Sequence, residues 1–129
     1  DEIGETVALL QGSATLAHQA EALDDALCAG RAALRVLLDN AKNDAHLAGS
    51  ISVNFMMLFG YLCGGWLMAR SALRAQALLD SGNGDPQFLD AKRITADFYA
   101  EQLLPRVHAL LAAISSGSKS IMALDDEQF

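Results

Sequence analysis

The sequence is poor in proline, cysteine, aromatic rings and positive charge, and each shortage closes a line of interpretation. Two prolines and an aromatic content of 6% in 129 residues are far from the usage of a strand-rich protein. The two cysteines, Cys28 and Cys63, stand far apart in apolar, helical surroundings, so neither a disulfide framework nor a Cys-x-x-Cys redox or zinc pair is available. A reducing cytoplasm is the expected compartment. Sixteen acidic residues against nine Lys and Arg give a net charge of -7, which excludes holding DNA or RNA by bulk electrostatics. The first 25 residues carry six acidic groups, no basic one and no initiator Met, so no signal or transit peptide is read there. A domain cut from a longer protein, or a processed chain, is expected to look like this.

What is abundant is alanine and leucine, 23 and 21 residues, the strongest helix formers. The length suits one domain, 1–129, that buries roughly two-thirds of its unfolded surface. Apolar steps of four and three through Ile3, Val7, Leu10, Ala14 and Ala17 predict a first helix, and a second stripe runs from Leu23 through Leu27, Gly30, Leu34 and Leu37 to Ala41. Their junction falls around Ala20 to Leu23, where no Gly or Pro decides between a turn and a continuous, kinked helix. After Asn43-Asp44 no breaker appears before Ser81-Gly82-Asn83-Gly84-Asp85-Pro86, so a third helix of about 37 residues, about 55 Å long, is predicted. Asp85 reads as an N-cap and Pro86 as the first helical residue. A fourth helix is expected to bury Phe88, Ile94, Phe98, Leu103, Val107, Leu110 and Ile114, with Pro105 bending it near Glu101 to Leu104. Residues 117–129 read as a loosely packed tail. The fold expected is all-α, an antiparallel four-helix bundle with a long central third helix and a Pro-bent fourth.

Residues 47–69 carry no charge and are long enough to span a bilayer. Gly49, Ser50, Ser52 and Asn54 dilute the segment's first third and Gly60, Gly64 and Gly65 its centre, which makes a membrane span the poorer reading. A helix sequestered at the centre of its bundle or against another protein surface is expected instead. Each interior Gly costs about 1 kcal/mol relative to Ala, and close approach of another backbone is the natural compensation. Gly60 and Gly64 lie one turn apart on one face, with Tyr61 and Trp66 supplying bulk beside them.

Chemistry is harder to find. No Glu-x-x-His pair of a di-metal bundle occurs, and His18, His46 and His108 have no carboxylate at ligand spacing on the same helix. No Gly-x-Ser-x-Gly elbow is present, and Cys63 among hydrophobes reads as an inert thiol. Gly82-Asn83-Gly84 lacks the Lys-Ser/Thr of a phosphate loop and precedes Asp85, so it reads as loop punctuation. Lys92-Arg93 and the Arg70/Arg74 pair read as solvated helix faces, with an inter-domain salt bridge as their alternative role.

Two segments together carry a resemblance. Met57-Leu58-Phe59-Gly60-Tyr61-Leu62-Cys63-Gly64-Gly65-Trp66 followed by Phe88-Leu89-Asp90-Ala91-Lys92 and Phe98-Tyr99-Ala100-Glu101-Gln102-Leu103-Leu104-Pro105 resembles the C-terminal helical domain of a subset of bacterial acyl-CoA dehydrogenases, the acetyl-CoA dehydrogenase C-terminal-like domain of enzymes similar to methylmercaptopropionyl-CoA dehydrogenase. The ending, Ser120 to Leu124 into acidic residues and Phe129, is similar too. The resemblance implies a parent that oxidises an acyl-CoA thioester between its α and β carbons, with FAD accepting hydride and a glutamate base removing a proton. Nothing in this chain matches the flavin-binding strands or the catalytic base. The expectation is therefore a domain with no catalytic, cofactor or metal residue of its own, FAD and acyl-CoA being held by the parent. Phe59, Gly60, Gly64, Gly65, Trp66, Phe98, Tyr99 and Pro105 would serve as core and docking surface toward upstream dehydrogenase domains or a partner subunit of a homo-oligomeric parent. The rival expectation is a free-standing module that self-associates through Gly60 and Gly64.

Overall fold

The computed structural model describes residues 1–128, so Phe129 lies outside it. The chain forms α1 (Glu2–Gln11), α2 (Ala17–Asn40), α3 (Leu47–Asp80), α4 (Pro86–Gln102), α5 (Arg106–Ser115) and a short 3-10 turn at Asp126–Gln128. No strand occurs among the described residues, as an all-α class requires.

The break between the first two helices is a correction to the sequence-based expectation. It lies at Gly12 to Leu16, not at Ala20 to Leu23, which fall within α2 with Ala20 and Leu23 both buried. Leu10 and Leu16 are both driven into the core, and two successive tight turns, Ser13 N to Leu10 O and Leu16 N to Ser13 O, bring them there. The short polar residues between them suit that conformation, since Ser13 and Thr15 bond to each other at 3.0 Å and Thr15 donates to Gln76 near the end of α3 at 3.2 Å.

The third helix is nearly as long as expected, 34 residues. Gly82 and Gly84 close the loop after it in the left-handed region, at φ 68° and 89°. Asp85 then caps α4, its carboxylate accepting from the Gln87 amide at 3.0 Å, with Pro86 in the first turn.

Pro105 does more than bend the fourth helix: the run splits into α4 and α5. Lacking an N–H and clashing with the carbonyl one turn back, it ends the helix. The amides of Leu103 and Leu104 both turn to the Tyr99 carbonyl, at 3.1 and 3.0 Å, before α5 begins. The expected buried face of this region is also corrected. Phe88, Ile94 and Phe98 are each more than half exposed, while Leu89, Ala96 and Ala100 are buried. Small alanines let α4 lie close on α3, and the large side chains are turned outward.

Long-range contacts tie the ends together. Arg31 pairs with Asp1, Thr6 accepts from Trp66, and Ser118 donates to Asp44. This last contact accompanies burial of Ser118, so the start of the tail is anchored while residues 119–128 are exposed. The core gathers Leu10, Leu23, Leu58, Leu62, Val107 and Ile114 from four helices. The bundle does not enclose the central helix on every side, so of the two settings its hydrophobicity predicts, a bundle centre or another protein's surface, the first covers only part of it. It is long and apolar enough to cross a membrane by length and composition, and 22% of its most apolar window is buried.

Candidate functional site

The three glycines of α3 meet different surroundings. A Cβ on Gly64 would fall 2.8 Å from Cζ of Tyr99, and one on Gly65 would fall 2.6 Å from Cδ1 of Leu104. These two positions form a notch into which α4 and the following turn press. The Tyr99 hydroxyl crosses the notch and donates to the Tyr61 carbonyl at 3.2 Å. Burial pushes the Tyr99 phenol above its ordinary pKa, with the nearby Tyr61 and Cys63 adding to the shift. A methyl on Gly60 would have nothing within 4 Å of it. The Gly64 side of a Gly60/Gly64 self-association face is thus occupied by the chain's own Tyr99.

Trp66 donates its indole N–H to the Thr6 hydroxyl at 2.9 Å, and Thr6 in turn donates to the Glu2 carbonyl at 2.9 Å. The indole also carries the Arg70 guanidinium, 5.1 Å from the ring centre. Phe59 is half-buried against Phe55, ring centres 4.8 Å apart. Phe98 and Pro105 are exposed. The residues singled out in the sequence therefore divide: Gly64, Gly65, Trp66, Tyr99 and Phe59 knit α3 to its neighbours, and Gly60, Phe98 and Pro105 face outward.

Through Gly60 runs a feature that the sequence did not reveal at first sight. Gly49, Val53, Met56, Gly60, Cys63 and Leu67 are all exposed, with Val53 at 65%, Met56 at 66% and Leu67 at 53%. Their steps of four, three, four, three and four follow the 3.5-residue repeat of a seam that receives another helix. The signal was present in the sequence but hidden, because α3 is apolar on its other faces as well.

A second unanticipated feature joins α2 to α4 and α5. His18 Nε2 lies 3.6 Å from Glu101 Oε1, and His108 Nε2 lies 2.8 Å from Asp25 Oδ2. Both pairs sit on the wall of an open groove of about 1020 Å³ that is also lined by Glu21 and Asp24. Each histidine has one carboxylate partner, and no group of three or more His, Cys, Asp or Glu among the described residues is placed to hold a metal. Four carboxylates would repel the pyrophosphate of FAD, so the donor set of this groove does not fit the flavin.

The sequence profile described as "Acetyl-CoA dehydrogenase C-terminal like" matches residues 1–125, and the chain belongs to that family. It is 40% identical over 114 residues to 3-methylmercaptopropionyl-CoA dehydrogenase of Ruegeria pomeroyi, covering 88% of this chain and 19% of that protein. It is 37% identical over 103 residues to the broad-specificity linear acyl-CoA dehydrogenase FadE5 of Mycobacterium tuberculosis, covering 76% of this chain and 17% of that one. The chain thus spans less than a fifth of the length of these relatives.

Proposed function

We propose that residues 1–129 form a single docking domain of an FAD-dependent acyl-CoA dehydrogenase, packed through the open face of α3 on the catalytic body or on a neighbouring subunit of a homo-oligomeric, cytoplasmic parent. The α,β-oxidation of the acyl-CoA takes place elsewhere in that parent, which holds the FAD and the substrate. The helices pack as an antiparallel four-helix bundle in which α4 and α5 share the fourth position. Supporting this sense, Gly30 of α2 faces Phe59 and Leu62 in the middle of α3 while Thr15, just before α2, reaches Gln76 near its end. The observation that carries the function is the exposed apolar seam from Val53 to Leu67, in a domain whose relatives are about five times longer. Exposed apolar area on this scale marks an interaction surface. Gly60 lies in the seam, Phe59 stands beside it in sequence, and Phe98 offers a further exposed ring for docking, while Tyr99, Gly64, Gly65, Trp66 and Pro105 shape the helices that present it. The test compares the 129-residue chain with the full-length protein for flavin absorbance and acyl-CoA-dependent dye reduction. Both are expected only in the full-length protein; turnover by the short chain supplied with FAD overturns the proposal.

A further inference from the structure

We infer that one water molecule is bound at the junction of α2, α3 and α4, held by the side-chain carbonyl of Gln19. Gln19 lies in the first turn of α2 and is only 3% exposed, which puts a primary amide in an apolar interior. Both ends of such an amide need partners. Its Nε2 donates to Asp97 Oδ1 of α4 at 2.7 Å. Its Oε1 is closed off from solvent, and no group among the described residues donates to it. A buried carbonyl left without a donor carries its whole desolvation cost. Turning the amide over does not help. Oε1 would then stand against the Asp97 carboxylate, acceptor against acceptor, and Nε2 would lose its partner.

Gln19 lines a cavity of about 10 Å³, the room that a single water needs and too little for a larger guest. Its walls include Leu23 of α2, Gly65 and Ala69 of α3, and Ala96 and Ala100 of α4, whose side chains have nothing to donate. Tyr99 lines it too, but gives its hydroxyl hydrogen to the Tyr61 carbonyl. That oxygen is left able to accept and unable to supply Gln19. The site therefore takes a small hydrogen-bond donor. Among the described residues, none that lines the cavity is charged, so a sodium or ammonium ion would be buried there without a counter-ion. Water is neutral, fits the space and brings two hydrogens. One goes to Gln19 Oε1, and the other to a free lone pair on the wall, either of Tyr99 or of a helix carbonyl.

The test is a crystal structure of the full-length protein at a resolution that shows ordered solvent, with the cavity kept empty through refinement. A single peak of difference density is expected in the cavity, about 2.8 Å from Gln19 Oε1, with Nε2 still on Asp97. An empty cavity, a protein donor on Oε1 or an amide turned over would each overturn the inference. Gln19→Met keeps the length of the side chain and removes its polar atoms, and in that variant the peak is expected to vanish. A peak of undiminished occupancy would show that other atoms hold the water, and overturns the assignment to Gln19. Should the variant not fold, the wild-type density decides alone.

Discussion

The hydroxyl of Tyr99 donates to the carbonyl of Tyr61 at 3.2 Å, over the flat left by Gly64. This one bond joins α4 to α3 beside the glycine pair, and together with Leu104 over Gly65 it explains why two consecutive residues of a helix interior lack side chains.

Gly64→Ala and Gly60→Ala should therefore have opposite signs. A methyl at Gly64 must displace the Tyr99 ring, which lies 2.8 Å away at Cζ, and the expected loss is about 1–3 kcal/mol. At Gly60 a methyl meets nothing within 4 Å, and the gain in helix propensity is up to about 1 kcal/mol. Urea denaturation of the 129-residue chain and its two variants checks both signs.

Leu104 and Pro105 share the break between α4 and α5 unequally. Leu104 is buried with its methyls against Gly65, and Leu104→Ala is expected to cost about 2–5 kcal/mol. Pro105 is exposed, and Pro105→Ala is expected to change stability by less than about 1 kcal/mol, because Leu104 still holds the turn in place. Thermal melts of the two variants decide whether the turn is held by the buried side chain or by the ring.

The Trp66 to Thr6 hydrogen bond ties α1 to α3. Trp66→Phe and Thr6→Val should each cost about 1 kcal/mol or more, and a double-mutant cycle should return a coupling of about 0.5–1.5 kcal/mol. Additive losses in that cycle would show that the bond contributes nothing.

The fold class was legible because Ala, Leu and the loop from Ser81 to Pro86 speak locally: Asp85 and Pro86 cap and start α4 whatever packs above them. The Gly12 to Leu16 turn was not legible, since Gly12 is helical in backbone (φ -72°) and the turn is set by where Leu10 and Leu16 are buried, a tertiary fact. Phe88, Ile94 and Phe98 mislead because large apolar side chains suggest a core, whereas the buried residues of α4 are Leu89, Ala96 and Ala100 and its close contact with α3 is made by Tyr99. The notch was half legible. Three glycines announced a close approach, but only the partner side chains, Tyr99 and Leu104, separate Gly64 and Gly65 from Gly60.

Asp44 gives a pH signature. Donation from the Ser118 hydroxyl, aided by the backbone amides of His46 and Leu47, holds its carboxyl below the usual value, against an upward push from desolvation. A carboxyl depressed in the folded state stabilises above its unfolded pKa of about 3.9 and loses that contribution as pH falls through the folded value. In Ser118→Ala the Asp44 carboxyl should titrate at higher pH, and the start of the tail should detach. Carbon-13 NMR titration of the Asp44 carboxyl between about pH 2 and 6 checks the direction.

Coverage of the open face of α3 in the full-length protein is the claim on which the functional reading turns. Cys63 stands on that face and is exposed in the domain, which corrects the inert thiol expected from its apolar neighbours in sequence, so it reports directly. Its rate of alkylation by iodoacetamide is measured by peptide mass spectrometry in the 129-residue chain and in the full-length protein. A covered seam predicts rapid reaction in the short chain and at least about tenfold protection in the full-length protein, the equivalent of about 1.4 kcal/mol. Equal rates would leave the seam uncovered and contradict the claim.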